Sequence, residues 1–150
     1  MRLVVQRVLK TQLKINNDVY SQIGPGLLVL LGIEEADTLE DIDWLISKIS
    51  TLRIFGDEEG KLNLDVNQIN GEVIVVSQFT LFASTKKGNR PSFLRSAKPD
   101  IAIPLYESFI KKLGGLITKP IQTGQFGADM KIELVNDGPV TIIIDSKSRE

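Results

Sequence analysis

Runs of apolar residues divide the first third of the chain into strands and turns. The segment from Arg2 to Lys10 is rich in β-forming residues, and Gln12 to Ile15 alternates polar with apolar positions, as a half-buried strand does. Asn16-Asn17-Asp18 has the composition of a turn and predicts a hairpin into a strand from Val19 to Ile23. After a Gly-Pro-Gly break, the run from Leu27 to Ile33 is apolar on both faces, which predicts a central strand.

Apolar residues at helical spacing appear in two places. They recur at every third or fourth position between Leu39 and Leu52, which predicts the first helix. A second helix is predicted to begin at Pro99-Asp100 and to end at Gly114-Gly115. Pro104 would interrupt the first turns of this helix, so we expect either a kink or a later start.

Short alternating segments predict the remaining strands. Leu62, Leu64 and Val66 alternate with polar residues, and Asn70-Gly71 is a strong hairpin signal before a strand from Val73 to Val76. Three more strands are predicted in the last third of the chain: Leu116–Ile121, Lys131–Val135 and Val140–Asp145. The pattern predicts an α+β fold in which residues 1–150 form a single compact, β-rich domain, with two helices and a mainly antiparallel or mixed sheet.

The absence of histidine and cysteine narrows the possible chemistry. A Ser-His-Asp triad, a Cys–His pair and an ordinary zinc site are excluded. The acidic runs that begin at Glu34 and Asp57 lack the spacing of a metal-binding loop. We therefore expect neither a metal nor a cofactor. Any reaction must use backbone groups, hydroxyls, carboxylates, lysines or the substrate itself.

No segment has the pattern of a membrane span or an export signal. The longest apolar run, Leu27 to Leu31, is far shorter than the roughly 20 residues that cross a bilayer. Gln6 and Arg7 interrupt the apolar N-terminal segment, which is typical of a strand and not of a signal peptide. We therefore expect a cytoplasmic protein with no membrane partner.

One basic segment differs from the nearly neutral chain around it. The net charge is −1, which gives no general indication of nucleic-acid binding. Between Val73 and Pro99, however, there is no Asp or Glu. Five cations lie in that interval: Lys86, Lys87, Arg90, Arg95 and Lys98. The segment is either a solvated loop or a loop that contacts phosphates, in which Phe93 would stack on a base.

Ser77-Gln78-Phe79-Thr80 places two hydroxyls and an amide where a predicted strand ends. Such side chains usually hydrogen-bond to neighbouring backbone groups. A hydroxyl needs a base to become a good nucleophile, and only Lys86 or Lys87 is a candidate, provided that it is desolvated. The alternative is an oxyanion hole formed by backbone N–H groups around Phe79 and Thr80.

Two segments that contain glycine are further candidates. Gly138-Pro139 is either a tight turn or, with a cis bond, a unit whose carbonyls accept hydrogen bonds from an ammonium group. The segment Gln122 to Met130 matches neither a dinucleotide-binding loop nor a Walker loop. Phe126 within it belongs either to the core or to a pocket floor against a base.

Taken together, these segments resemble the D-aminoacyl-tRNA deacylase family. The resemblance runs nearly end to end and is most specific in Ser77-Gln78-Phe79-Thr80-Leu81 and Asn136-Asp137-Gly138-Pro139-Val140-Thr141. Further matching segments are Val4–Val8, Gly26–Gly32, Arg53–Phe55, Arg90–Phe93 and Gln122–Gly124. The resemblance implies a carboxylic ester hydrolase that acts on D-aminoacyl-tRNA, its expected partner, in chiral proofreading during translation.

The resemblance also implies a homodimer of barrel-like subunits. Gly138 and Pro139, joined by a cis bond, would enter the partner's active site, hold the substrate's α-amino group through main-chain oxygens and exclude an L side chain. The residues expected to line the catalytic ester site are Ser77, Gln78, Phe79 and Thr80. Further contacts with substrate and tRNA are expected from Phe126, Met130, Lys86, Lys87 and Arg90.

Two hydroxyls are candidates for the attacking or activating group. In the resembling family Thr80 would be one candidate nucleophile, and the 2′-hydroxyl of the substrate's terminal ribose would be the other. The residues favour the substrate hydroxyl because no evident base stands beside Thr80. Glycyl-tRNA is expected as a second substrate. The competing hypotheses are a non-catalytic, dimeric RNA-binding domain and a purely structural dimerisation domain.

Overall fold

The first strand organises the sheet. In the computed structural model, which describes residues 1–150, β1 spans Arg2–Ile15 as one continuous element. Its first half pairs antiparallel with β3 (Gly26–Gly32), and its second half pairs antiparallel with β2 (Asp18–Ile23). Along its other edge, β1 pairs antiparallel over nearly its whole length with β8 (Met130–Asp145).

The predicted hairpin and the predicted central strand are both confirmed. Asn16 and Asn17 have φ values of 52° and 66°, the left-handed region that a two-residue hairpin turn requires and that Asn tolerates. β3 lies between β1 and β6 (Glu72–Ser77). β3 and β6 are parallel, and β6 is parallel to the short β7 (Gln122–Thr123), so the sheet is mixed.

A contact between β2 and β7 brings the two ends of the sheet together. The Ser21 hydroxyl of β2 donates a hydrogen bond to the Thr123 carbonyl oxygen of β7 at 2.8 Å. The sheet is therefore nearly closed and barrel-like, and the α+β prediction is confirmed.

Two helices pack against the sheet and against each other. α1 spans Leu39–Thr51 and α2 spans Pro99–Gly114, close to their predicted bounds. Pro104 lies inside α2, so the expected later start is wrong. Pro99 is suited to the first helical position because the N–H that it lacks would have no intrahelical acceptor. Both helices contribute to the main core, which includes Leu3, Val5, Leu27, Val29, Leu45, Ile49, Phe109 and Leu113. No helix combines the length and apolar character needed to cross a membrane.

Three predictions outside these helices are wrong. Asn70-Gly71 lies at a turn but joins no hairpin, because β6 pairs with β3 and β7, whereas β5 (Leu62–Leu64) pairs with β4 (Phe55–Gly56). Val66 is fully buried in a turn beyond the end of β5. The segment Leu116–Ile121 contains a turn and a bend instead of a strand.

Of the two alternatives for Gly138-Pro139, the tight turn between separate strands is wrong, because β8 continues through this segment. Its residues pair with β1 on both sides: Gln6 lies opposite Thr141, and Val8 lies opposite Asn136. Over this interval β1 advances by two residues and β8 by five. The additional residues of β8 therefore form a bulge, which we call the Gly-Pro bulge (Asn136–Pro139).

The two ends of the chain meet at the N-terminus of α1. Asp41 accepts hydrogen bonds from the Ser146 hydroxyl at 2.6 Å and from the Thr38 backbone N–H at 2.8 Å, and Lys147 Nζ lies 3.1 Å away. The Met1 ammonium group pairs with the buried Asp37. Burial raises the pKa of Asp41, but the hydrogen bonds outweigh burial and hold that pKa well below its usual range.

Candidate active site

A cavity of about 290 Å³ opens where β3 and β6 end. Because these strands are parallel, their C-terminal ends lie at one edge of the sheet, which is a common location for ligand sites. The residues that line this cavity include Ser77, Gln78, Phe79, Phe126 and Met130. The structure thus brings three of the four predicted ester-site residues together with two of the four predicted substrate-binding residues, Phe126 and Met130.

The backbone changes direction directly after β6. The Gln78 N–H still donates to a carbonyl oxygen of β3 at 2.8 Å, and a short 3₁₀ helix, Phe79–Phe82, follows. The N–H groups of the first residues of a helix have no intrahelical acceptor. The N–H groups of Phe79 and Thr80 are in this position, and Phe79 lines the cavity. Their action as an oxyanion hole stays a prediction.

Thr80 has no activating group beside it. Its side chain is exposed, lies outside the lining of the cavity, and accepts a hydrogen bond from the Gln78 side-chain amide. An amide nitrogen does not take up a proton from a nucleophilic hydroxyl. Lys86 and Lys87 are exposed, so neither has the desolvated surroundings that a catalytic lysine needs. The structure contains no cluster of carboxylates that could hold a metal ion.

Asp129 is the only ionisable side chain in the lining of the cavity. No sequence pattern indicates this residue, because it stands alone in a glycine-rich segment. Its side chain is 84% exposed, and both carboxylate oxygens pair with Lys131 Nζ, at 2.7 and 2.8 Å. This carboxylate therefore lies at the solvated rim of the cavity, in contact with a cation.

Phe126 and Met130 form an apolar wall of the cavity. Phe126 is half-buried against Tyr106, with ring centroids 5.9 Å apart. The Tyr106 hydroxyl donates to the Val75 carbonyl oxygen at 2.9 Å, and burial raises the pKa of Tyr106 to about 12, so this phenol is neutral. A Cβ at Gly124 would lie 2.5 Å from Met130 Sδ, so this glycine leaves room for Met130. Phe126 packs on the core and lines the cavity, and its contact with a base stays a prediction.

Gly138 and Pro139 lie away from the cavity of their own chain. Both are exposed, and neither lines that cavity. The peptide bond between them is cis. Gly138 has a φ of 136°, and a Cβ at this position would lie 2.8 Å from Val140 Cγ2, so the site favours glycine. In a single chain, the predicted ester site therefore lacks the clamp, as we call the main-chain oxygens of Gly138 and Pro139 that are predicted to hold the substrate's α-amino group.

Two side chains hold the Gly-Pro bulge in place. The Asn136 side chain accepts from the Val140 N–H at 3.0 Å and donates to the Val140 carbonyl oxygen at 3.2 Å. Arg7 donates to the carbonyl oxygens of Asp137, at 3.0 Å, and Ile54, at 2.5 Å, and pairs with the Asp137 carboxylate at 3.1 Å. No sequence pattern indicates this role of Arg7, because its position opposite the bulge depends on the register between β1 and β8.

The basic loop (Ser84–Ser92) follows the 3₁₀ helix. Two backbone hydrogen bonds between Ser84 and Ser92, of 2.8 and 2.9 Å, close its base. The predicted tRNA contacts on this loop are exposed and form no ion pair within the chain: Lys86, Lys87 and Arg90. Arg95, by contrast, pairs with Glu34 at 3.1 Å. The contact of the three loop cations with phosphate stays a prediction.

Comparisons with known proteins find relatives over the whole chain. A family model described as D-Tyr-tRNA(Tyr) deacylase matches residues 4–145. The chain is 61% identical to the D-aminoacyl-tRNA deacylase of Parabacteroides distasonis and 57% identical to that of Bacteroides thetaiotaomicron. Both alignments extend over 150 residues and cover all of each chain.

Two solved structures are similar to this fold. A protein named c-Myc DNA Unwinding Element Binding Protein is 39% identical, with a TM-score of 0.92, over 97% of this chain and 98% of that one. A probable eukaryotic D-amino acid tRNA deacylase is 18% identical, with a TM-score of 0.80, over 95% of this chain and 97% of that one. The second likeness supports the fold alone.

Proposed function

The chain belongs to the D-aminoacyl-tRNA deacylase family, and we propose that it hydrolyses its substrate in the cavity at the ends of β3 and β6. It is a hydrolase that cleaves D-aminoacyl-tRNA into free D-amino acid and tRNA, a proofreading step in translation. One observation supports the location: Ser77-Gln78-Phe79 and the wall of Phe126 and Met130, distant in sequence, surround one cavity. We further propose that the enzyme acts in the cytoplasm.

The reaction requires positioning more than strong acid–base catalysis. An aminoacyl ester is already activated, so hydrolysis needs an oriented water and a site for the developing negative charge. Water attacks the carbonyl carbon, the bond to the ribose oxygen breaks, and that oxygen leaves with a proton. The N–H groups of Phe79 and Thr80 stabilise the oxyanion, and the terminal adenine lies against Phe126 and Met130.

The second component of the active site comes from a second copy of the chain. Gly138 and Pro139 are exposed on their own chain, and Arg7 and Asn136 hold the bulge that presents them. In the homodimer, the main-chain oxygens of the bulge accept hydrogen bonds from the substrate's α-ammonium group and leave no room for an L side chain. Sedimentation of the active enzyme is expected to show a dimer. A fully active monomer would contradict this arrangement.

The hydroxyl that assists the reaction is the 2′-hydroxyl of the substrate's terminal ribose. Thr80 is exposed, bonded to an amide and without a base, whereas the ribose hydroxyl is next to the ester in every substrate molecule. Losing a group that acts in proton transfer typically costs on the order of 10²–10⁴ in rate. We therefore expect that cost for the loss of the ribose hydroxyl and a much smaller one for the loss of the Thr80 hydroxyl.

Single-turnover hydrolysis of D-aminoacyl-tRNA tests this assignment. Thr80→Val is expected to keep much of the activity, whereas tRNA with a terminal 2′-deoxyadenosine is expected to react far more slowly. Asp129→Asn is a necessary companion variant, because Asp129 is the one carboxylate at the cavity; its exposure and its pairing with Lys131 predict little effect. If Thr80→Val abolishes turnover while the 2′-deoxy substrate reacts normally, Thr80 is the nucleophile.

A further inference from the structure

An exposed pair of aromatic rings lies at the edge of the cavity. The Phe79 and Phe93 rings meet edge to face, with centroids 5.1 Å apart and planes at 72°. Phe79 is 56% exposed and Phe93 is 38% exposed, although large apolar side chains are usually covered. Phe79 also lines the cavity. The pair therefore presents an apolar surface to solvent directly outside the candidate active site.

Two hydrogen bonds from Ser96 join the main chain at Phe79 to the main chain at Phe93. The Ser96 hydroxyl donates to the Phe79 carbonyl oxygen at 2.8 Å, and the Ser96 N–H donates to the Phe93 carbonyl oxygen at 3.0 Å. Phe93 directly follows Ser92, which closes the base of the basic loop with Ser84. The pair is thus attached both to the cavity and to the segment that carries the free cations.

We propose that Phe93, supported by Phe79, stacks on the base next to the terminal adenosine of the substrate's single-stranded 3′ end. This assignment rests on the proposed function, since that end must approach the cavity. Single-stranded nucleic acids are bound by basic grooves in which exposed aromatic rings stack on successive bases. This part of the chain has the same two features: the exposed Phe79 and Phe93 rings, and a basic loop that contains no Asp or Glu.

Charge favours a nucleotide over a protein segment as the occupant. No Asp or Glu occurs between Val73 and Pro99, and the cations of the basic loop are unpaired within the chain. A second copy of the chain would bring its own uncompensated cations to the same place if this face packed on itself. A nucleotide instead brings a flat base to the rings and phosphates to the cations.

Substrates of graded length test the proposal. The D-aminoacyl esters of adenosine, of the dinucleotide CpA and of CpA lacking its cytosine base are compared with wild-type, Phe93→Ala and Phe93→Tyr proteins. Phe93→Ala is expected to raise KM for the CpA ester about tenfold, within the range for loss of one base–aromatic stack. KM for the two substrates that lack the second base is expected to stay unchanged. Phe93→Tyr keeps an aromatic ring and is expected to have the wild-type KM for the CpA ester.

Leu94→Ala is the matched control, because Leu94 is 93% exposed, adjacent to Phe93 and not aromatic. It is expected to change no substrate's KM. An equal loss on the adenosine and CpA esters, or no loss on the CpA ester, would overturn the proposal. If Phe93→Ala also converts a dimer into monomers, the rings are covered by a second copy instead.

A binding measurement separates this proposal from the proposed function. A short oligonucleotide with 2-aminopurine next to its terminal adenosine is expected to lose fluorescence on binding to the wild-type protein and to keep it with Phe93→Ala. Quenching by a wild-type protein that hydrolyses none of the esters would support stacking and refute the enzymatic assignment. Hydrolysis without quenching would refute stacking alone.

Discussion

Replacing Arg7 is the most direct way to loosen the Gly-Pro bulge without changing its sequence. The guanidinium group bonds to the carbonyl oxygens of Asp137 and Ile54, and the side chain is only 14% exposed. Methionine has a similar apolar stem, so Arg7→Met removes the polar contacts and leaves most of the packing. Arg7→Lys keeps the charge but loses the planar, forked donor geometry that reaches two acceptors at once.

The contacts of Arg7 set the expected size of the effect. A hydrogen bond to a charged group contributes about 1.5–3 kcal/mol. The ion pair with Asp137 adds at most about 1 kcal/mol, because that carboxylate is 41% exposed and therefore screened. Water replaces part of what is lost at the surface of the bulge, so we expect Arg7→Met to lower the free energy of unfolding by about 2–4 kcal/mol. Arg7→Lys should fall between Arg7→Met and wild type.

Two measurements are needed, since stability alone does not report on the site. Urea unfolding gives the free energy, and hydrolysis of matched D- and L-aminoacyl-tRNA gives the discrimination. A displaced clamp is expected to lower kcat/KM for the D substrate on the order of 10–10²-fold, because misplacement of about 1 Å can have such an effect. Arg53→Met is the control: Arg53 is exposed and bonds to one surface carbonyl, that of Asn63, at 2.8 Å.

If Arg7→Met unfolds at the wild-type urea concentration and discriminates D from L as the wild type does, Arg7 does not hold the bulge in place. The same conclusion follows if Arg53→Met, expected to cost less than about 1 kcal/mol, is equally destabilising and equally slow. A variant that loses stability but keeps full discrimination would assign Arg7 to folding alone. Arg7 is assigned to the clamp only if its replacement changes both the free energy of unfolding and the discrimination between D and L substrates.

Three other perturbations address the loop, the clamp and the chain ends. Replacing Lys86, Lys87 and Arg90 together by alanine should weaken tRNA binding and flatten its salt dependence, by about 0.7–0.9 in slope per lost phosphate contact; unchanged affinity and slope would contradict this. Glycyl-tRNA should be hydrolysed slowly but measurably, because glycine has no side chain to exclude; complete inertness would mean that a D side chain is required. Asp41→Asn should lower the free energy of unfolding at pH 7 by about 1–3 kcal/mol. Because the pKa of Asp41 is lowered in the fold, its contribution is present above about pH 4 and lost as the pH falls below that value, so wild type and variant should converge in acid.

Local patterns predicted the elements whose partners are close in sequence or whose burial is one-sided. The end of β1 follows from alternation, the turn and β2 follow from the turn residues Asn16-Asn17-Asp18, and α1 follows from apolar spacing. The hairpin predicted at Asn70-Gly71 is wrong because a turn signal depends on neighbouring residues, whereas strand pairing depends on residues that are distant in sequence. Asn70 does have a φ of 52°, but β6 pairs with β3 and β7, where its residues 73–76 are buried.

The residues of the candidate site were easier to predict from the sequence than the way in which they come together. Ser77 to Phe79 lie at and after the end of β6, and Phe126 and Met130 follow β7, which is parallel to β6, so both segments reach the same edge of the sheet. The apolar runs indicated a strand before Ser77 but not this parallel pairing. The role of Gly138-Pro139 as part of a bulge was not predictable, because turn chemistry within a strand looks the same as turn chemistry between strands. Only the pairing of β8 with β1 on both sides distinguishes the two.

The absence of histidine and cysteine is consistent with an enzyme that must distinguish D- from L-aminoacyl-tRNA. Every D-aminoacyl-tRNA shares an ester, an α-ammonium group and the configuration at one carbon, whereas the side chains differ. In the proposed site, main-chain donors at Phe79 and Thr80 and main-chain acceptors at Gly138 and Pro139 would contact only these shared groups. The aminoacyl ester is already activated, so a catalytic histidine or cysteine would accelerate the hydrolysis of L substrates as well as D substrates. A site built from main-chain groups obtains its selectivity from position, so the elements that fix position, Arg7 above all, are where substitutions should affect chirality most.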